Sequence, residues 1–150
     1  MSQQQIAVQR SPLSLAFLFH IVLELPVAVQ GTFSPLSLPF LDMNNTSVVI
    51  LKLYAMMLLA SCIASFLCYS LPDFLPGKRA FVIMLVIYHT VSSTILYQAP
   101  RFIPHSFGAA FEGVKVIPET VWGTLHGLIG LLFVFWWQQT IPVTRAVGGR

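Results

Sequence analysis

Four apolar runs dominate this chain, at residues 13–30, 48–69, 80–97 and 121–137, and the only charged side chains inside them are Glu24 and Lys52. As a helix, a run of about 17–25 mostly apolar residues spans the roughly 30 Å hydrocarbon core of a bilayer. The runs are continuous, whereas barrel strands alternate between lipid-facing and lumen-facing residues. Charged residues make up 9% of the chain, against roughly 25% in a soluble domain. The expectation is an all-α, polytopic membrane four-helix bundle, with residues 1–150 forming a single domain.

Arg10 ahead of the first run imitates the basic end of a signal peptide. Glu24 interrupts the apolar part, however, and Ala28-Val29-Gln30 is a poor cleavage site, so the run is read as a retained span. The formal net charge is +3, but the basic residues are scattered, with only Lys78 and Arg79 adjacent. A lipid-headgroup motif clusters about four to eight of them, and nucleic acid is excluded as a partner on the same ground. Cys62 and Cys68 share one run. Six residues of helix separate them by about 9 Å, too far for a disulfide, so both read as apolar packers.

Four spans put both termini on one side. That side carries Arg10, Lys78, Arg79, Arg145 and Arg150, and the other carries Arg101 and Lys115, with Lys52 near it. The positive-inside rule then places the termini in the cytosol, in an endoplasmic reticulum, endomembrane or plasma membrane setting. Tyr69, Trp136 and Trp137 read as the cytosolic aromatic belt, and Tyr97 and Trp122 as the lumenal one. Overlapping glycosylation sequons at Asn44 and Asn45 abut the second span, which argues against their use.

The 71–79 connection is short, with Pro72, Pro76 and Gly77 as helix stoppers, and predicts tight antiparallel packing of the second and third spans. The 98–119 loop is long, and loops of that size are usually functional or carry structure of their own. Ser106 is placed to cap a short interfacial helix with Phe107, Phe111 and Val114 on one face. Pro118 and Glu119 then open the fourth span. Ser11–Leu18 (SPLSLAFL) recurs as Ser34–Leu41 (SPLSLPFL) without a longer repeat around it.

The runs carry the sequence's chemistry. A lone charge in hydrocarbon costs at least roughly 2.5–3.5 kcal/mol, so such groups pair or face a cavity. By depth, Glu24 meets Lys52 near the lumenal end of the first two spans, and an ion pair or a short water-bridged contact is expected. The alternative is that Lys52 snorkels to the headgroups. His20 lies one turn below Glu24 on the same face. His89 and His126 fall at similar depth on the third and fourth spans, with Tyr54, Tyr88, Ser92 and Trp122 as further lining. Pro26 should kink or end the first helix beside Glu24. Gly123, Gly127 and Gly130 form a small-residue face that suits close helix packing or a homo-oligomer.

Three readings of this constellation stay open. The first is an intramembrane polar pocket for a lipophilic small molecule such as a sterol, terpenoid or quinone. There, Glu24 with His20, His89 and His126 would run proton-transfer chemistry of the isomerase or cyclase type, and Lys52, Tyr54, Tyr88, Ser92 and Trp122 would line the ligand. The second is a bis-histidine haem or metal site on His89 and His126. The third is a non-catalytic accessory or scaffold protein for a membrane partner, its polar cluster fixing helix register. No phosphate loop, metalloprotease pair or Cys-x-x-Cys motif is present, so a resident cofactor is not expected outside the haem reading.

Ile87-Tyr88-His89-Thr90, Ala99-Pro100-Arg101-Phe102, the 123–127 stretch and Trp136-Trp137 give the chain's second half a resemblance to small four-helix membrane proteins found in fungi. That resemblance implies four spans and no particular activity. Phe17–Ile21 (FLFHI) and Ile87–Thr90 (IYHT) also look locally like the sterol-isomerase and sigma-2 (EXPERA) class. That class keeps polar and acidic groups in a membrane-embedded pocket. The second intrahelical acid it would imply is absent here, and no site residue is carried over from it.

Overall fold

A computed structural model describes residues 11–41, 43–114 and 116–148. Arg10, Lys115 and Arg150, which enter the charge count, lie outside the described residues. The helices are α1 (Leu15–Phe33), α2 (Asn45–Ser70), α3 (Pro76–Gln98), α4 (Ala109–Gly113) and α5 (Pro118–Gly148). Four of these, α1, α2, α3 and α5, are long and apolar enough to cross a membrane. Among the described residues there are no strands, so the chain is an all-α four-helix membrane bundle. Both copies of the Ser-Pro-Leu-Ser repeat form a 3-10 turn, at Pro12–Ser14 and Pro35–Ser37.

Local chemistry sets the helix starts. Asn44 and Ser47 open α2 with a reciprocal capping box: Ser47 N–H donates to Asn44 Oδ1 at 2.9 Å and Asn44 N–H to Ser47 Oγ at 2.8 Å. Pro76, read from the sequence as a stopper, instead opens α3 from its first turn, where its missing N–H costs nothing. Pro26 does not end α1, which runs on through it to Phe33. Neighbouring helices make an interior proline tolerable in a membrane, and here the stretch beyond it is packed hard on α2. A Cβ built on Gly31 would come 2.9 Å from Ala55 Cβ.

The tight helix pairs are α1 with α2 and α3 with α5, and α1 also packs on α5. This corrects the expectation that α2 and α3 are close neighbours because their loop is short. Backbones approach where a glycine faces a small partner. Gly31 gives α1 that approach to α2. On α5, a Cβ at Gly123 would come 3.2 Å from Leu96 Cβ and one at Gly127 3.1 Å from Ser93 Oγ. The 123/127/130 glycine face is therefore covered by α3 of the same chain. Between α2 and α3 lies a looser seam, crossed by a Tyr54–Tyr88 hydroxyl pair at 2.7 Å.

The end that holds the termini carries the aromatic core. Phe17 stacks on Phe81 and meets Phe133 and Trp136 edge-on, at centroid distances of 6.2, 5.2 and 6.1 Å. Trp136 is fully buried rather than an interfacial anchor, and its Nε1–H donates to Ser14 Oγ at 3.1 Å. Trp137 instead stacks under Arg79, 3.8 Å from ring centroid to guanidinium carbon. Beneath this core, buried Asp73 accepts from Lys78 Nζ at 2.7 Å, from Ser14 Oγ at 3.1 Å and from the Ser11 backbone. Lys78 Nζ also donates to the Leu71 carbonyl at 2.8 Å.

Candidate functional site

The inward stripe of α1 is Ala16, Phe17, His20, Glu24, Ala28 and Gly31, and that of α3 is Lys78, Val82, Leu85 and His89. These three- and four-residue steps keep one face toward the bundle, so His20, Glu24 and His89 point inward with the apolar core. His126 lies on the α5 stripe with Gly123, Ile129 and Phe133. Glu24, His20 and His89 are 0% exposed and His126 1%. The structure therefore gathers the four candidate ionisable groups into one buried cluster.

Its geometry is a chain. His20 Nε2 lies 3.1 Å from Ser61 Oγ, His20 Nδ1 3.0 Å from His89 Nε2, and His89 Nδ1 3.0 Å from His126 Nδ1. Ser61 spends its own hydrogen on the Leu58 carbonyl at 2.7 Å, so it accepts from His20. A neutral imidazole has one N–H and one lone pair. With all three rings neutral, the assignment propagates: His89 Nε2–H donates to His20, and His126 Nδ1–H donates to His89. Hydrogen-bond logic alone thus orients the whole chain from His126 to Ser61.

Glu24 sits at the head of this chain. Its Oε1 is 3.4 Å from His126 Nδ1, whose hydrogen is already committed to His89. The Tyr88 hydroxyl also faces the carboxyl group, yet neither Glu24 oxygen has a hydrogen bond of good geometry. The Tyr88 ring is central, with its centroid 6.2, 5.0 and 5.7 Å from those of His20, His89 and His126. Its hydroxyl leads outward to Tyr54, which is 41% exposed at the α2–α3 seam.

Other sequence-selected residues stand apart. Lys52 is exposed and makes no ion pair with Glu24; the group beside the Glu24 carboxyl is the neutral His126 imidazole. Depth along a helix does not fix direction around it, and Lys52 falls off the buried α2 stripe of Ala55, Leu58, Cys62 and Ser65. Its position suits the snorkelling alternative. Ser92 is half-buried and takes no part in the chain of hydrogen bonds described here. The alternative of a haem held by His89 and His126 does not fit either. His89 and His126 touch through nitrogens 3.0 Å apart, and a bis-histidine site needs a porphyrin plane between its two ligands.

Trp122 belongs to a roof over the cluster at the end opposite the termini. Its ring lies 6.0 Å from His126, 6.5 Å from Phe40 and 6.4 Å from Phe102. The roof is tied by Leu41 N–H to the Phe102 carbonyl at 2.8 Å. Glu119 Oε1 accepts from both Phe102 and Ile103 N–H at 2.8 Å, and Arg101 pairs with Glu112 at 2.9 Å. The short helix expected here is α4, with Phe107, Phe111 and Val114 exposed. Gly108, not Ser106, is its cap; Ser106 Oγ accepts from the N–H of Gly108, two residues further on.

Sequence reasoning passed over Ser61, the Asp73–Lys78 lock and Glu119 as a loop anchor. Asp73 beside two prolines and a lysine was visible, but a buried pair cannot be told from solvated loop charges without the packing of Ser14 and Trp136.

No family model matches the chain, and neither a curated protein nor a solved structure does. Fold and composition define the class: a multi-pass helical membrane protein, here with a histidine–glutamate cluster buried among the spans.

Proposed function

We propose that this membrane protein binds a lipophilic small molecule at the Glu24 cluster and moves protons on it. The observation that carries this reading is a contrast inside the molecule. Asp73, the buried acid near the termini, is saturated by a lysine, a serine hydroxyl and a backbone N–H, as a purely architectural network requires. Glu24 is equally buried and has neither oxygen satisfied. An unsatisfied carboxyl group within the spans is costly, and a polar ligand group would complete it.

The chemistry this arrangement supports is proton addition at one ligand carbon and removal from another, with no net redox change. Glu24 supplies the proton, and His126 Nε2, the free lone pair at the head of the chain, takes one up. A proton arriving at His126 Nε2 displaces the one on Nδ1 to Glu24 Oε1, 3.4 Å away, which restores the acid. Access runs through the α2–α3 seam, where the Tyr54–Tyr88 hydroxyl pair stands between lipid and cluster. The cytosolic placement of the termini belongs to the same proposal and rests on the charge bias of the loops.

Native mass spectrometry of the protein in mild detergent, beside Glu24→Gln, tests this reading. The expected result is a bound lipophilic molecule on the wild type that is lost from a folded Glu24→Gln. A bare chain in both samples, or the same adduct in both, overturns it and leaves the cluster as architecture.

A further inference from the structure

We infer that His20, Glu24 and His89 form a binding site for a divalent first-row transition ion of the zinc or ferrous class. The inference goes beyond the proton-transfer reading and does not rest on it. Two imidazole nitrogens and one carboxylate oxygen are the donor set such ions take when a coordination position is left open. One ligand atom from each residue can be chosen so that all lie within 4.8 Å of one another. His20 Nδ1 and His89 Nε2 are 3.0 Å apart, and two ligands on one tetrahedral ion with bonds near 2.0–2.1 Å are separated by about 3.3 Å. Closing the set requires the Glu24 carboxyl group to move in from within that 4.8 Å limit.

Two independent features point the donors at an ion. Glu24 is wholly buried, and neither oxygen has a hydrogen bond of good geometry, with the Tyr88 hydroxyl and His126 Nδ1 as its polar neighbours. His20 is held by Ser61, which accepts from Nε2 because its own hydrogen goes to Leu58. That leaves Nδ1 as the lone-pair nitrogen, turned to His89 Nε2 at 3.0 Å, where an ion would replace the shared hydrogen, as an outer partner fixes the tautomer of a metal-ligating histidine. His126 completes the arrangement as a positioning residue. When the ion takes the His89 Nε2 lone pair, the ring's hydrogen moves to Nδ1 and donates to His126 Nδ1, whose hydrogen moves to Nε2. All three rings stay neutral, so loading the site creates no buried imidazolium. Bound there, the ion would polarise a ligand oxygen as a Lewis acid; Glu24 would be held as its ligand, so the proton transfer proposed for Glu24 belongs to the ion-free protein.

The test is metal uptake by the full chain in detergent, purified without a polyhistidine tag. Zinc and iron are quantified by elemental analysis, and Co²⁺ is titrated into chelator-treated protein as the spectroscopic probe. The expected outcome is one equivalent per chain, with the visible absorption of a four-coordinate nitrogen–oxygen site. Glu24→Gln and His89→Gln should lose it. His126→Gln should keep the stoichiometry and weaken affinity by about 10–100-fold, the usual effect of removing an outer partner. Absence of saturable uptake by the wild type overturns the inference whether or not the variants fold. Equal uptake by wild type and a monodisperse Glu24→Gln overturns it as well.

Discussion

His126 Nδ1 lies 3.4 Å from Glu24 Oε1, a contact that joins α1 to α5 deep inside the bundle. Both groups are essentially unexposed, so neither can turn to water if the other is removed. Stability should therefore be coupled. A double-mutant cycle of Glu24→Gln and His126→Gln, read by unfolding in mixed detergent, is expected to give an interaction energy of about 0.5–3 kcal/mol. Additive effects would show that the two side chains are neighbours without being partners.

Asp73 and Lys78 make the opposite kind of contact, in which each group is satisfied. Removing one partner leaves the other's buried charge without its counter-charge, and breaking a buried pair this way costs about 3–5 kcal/mol. Asp73→Ala should lower the thermal midpoint sharply. The paired change Asp73→Leu with Lys78→Met should recover most of the loss, because no buried charge is left. Ligand or metal occupancy at Glu24 should be unchanged in the paired variant, since the lock sits at the other end of the core around Phe17.

What was legible in the sequence follows from what each signal measures. Apolar run length located the four spans because hydrocarbon thickness acts directly on it; the observed ends differ most where α5 runs on past Trp137 to Gly148, and by about a turn at Phe33, Asn45, Pro76 and Pro118. Depth placed Glu24, His20, His89 and His126 at one level, and the four-residue step from His20 to Glu24 put those two on one face. Direction around a helix was not legible for Lys52, because in a nearly uniformly apolar span no polar stripe marks the outside. The partner of Glu24 was therefore misassigned. The α1–α2 and α3–α5 pairing was hidden for a related reason: Gly31 shows its purpose only once Ala55 stands opposite it.

Gly31 gives the sharpest test of that pairing. An alanine there would place its Cβ 2.9 Å from Ala55 Cβ, while Gly77 has nothing within 4 Å of an added Cβ. Overpacking of this kind costs about 1–3 kcal/mol. Gly31→Ala should destabilise the bundle by that order and Gly77→Ala should not. Thermal unfolding in the same detergent compares them. Equal midpoints would mean that α1 and α2 are less closely apposed than described.

The roof loop should respond to pH through Glu112. Its carboxyl is held below the usual carboxylate range, first by a hydrogen bond from Ser106 and then by Arg101. A depressed folded-state pKa means the stabilisation is present above the ordinary carboxylate pKa and lost as pH falls through the depressed value. The pair is exposed, so the effect is local and weakened by salt. Amide exchange in 101–114 should quicken on acidification below the usual glutamate range, and Glu112→Gln should be fast at every pH. A pH-independent contrast between wild type and Glu112→Gln would assign the difference to packing.

The α2–α3 seam is the remaining structural question with functional weight, because every route from lipid to Glu24 described above passes through it. Tyr54 and Tyr88 bridge it with one hydroxyl contact of 2.7 Å. Removing a hydrogen bond of this kind is worth about 0.5–1.5 kcal/mol, which raises an open population by about two- to tenfold. Cys62 reports on that opening: it is a free thiol, 3% exposed, on the inward stripe of α2. With Cys68→Ser as background, a membrane-permeant maleimide should label Cys62 about two- to tenfold faster in Tyr54→Phe than in Tyr54 protein. The phenylalanine ring preserves the packing, so a faster rate isolates the hydroxyl's contribution to closure. An unchanged rate would place the entrance elsewhere, and a ligand would then have to reach Glu24 past the Phe40–Phe102–Trp122 roof.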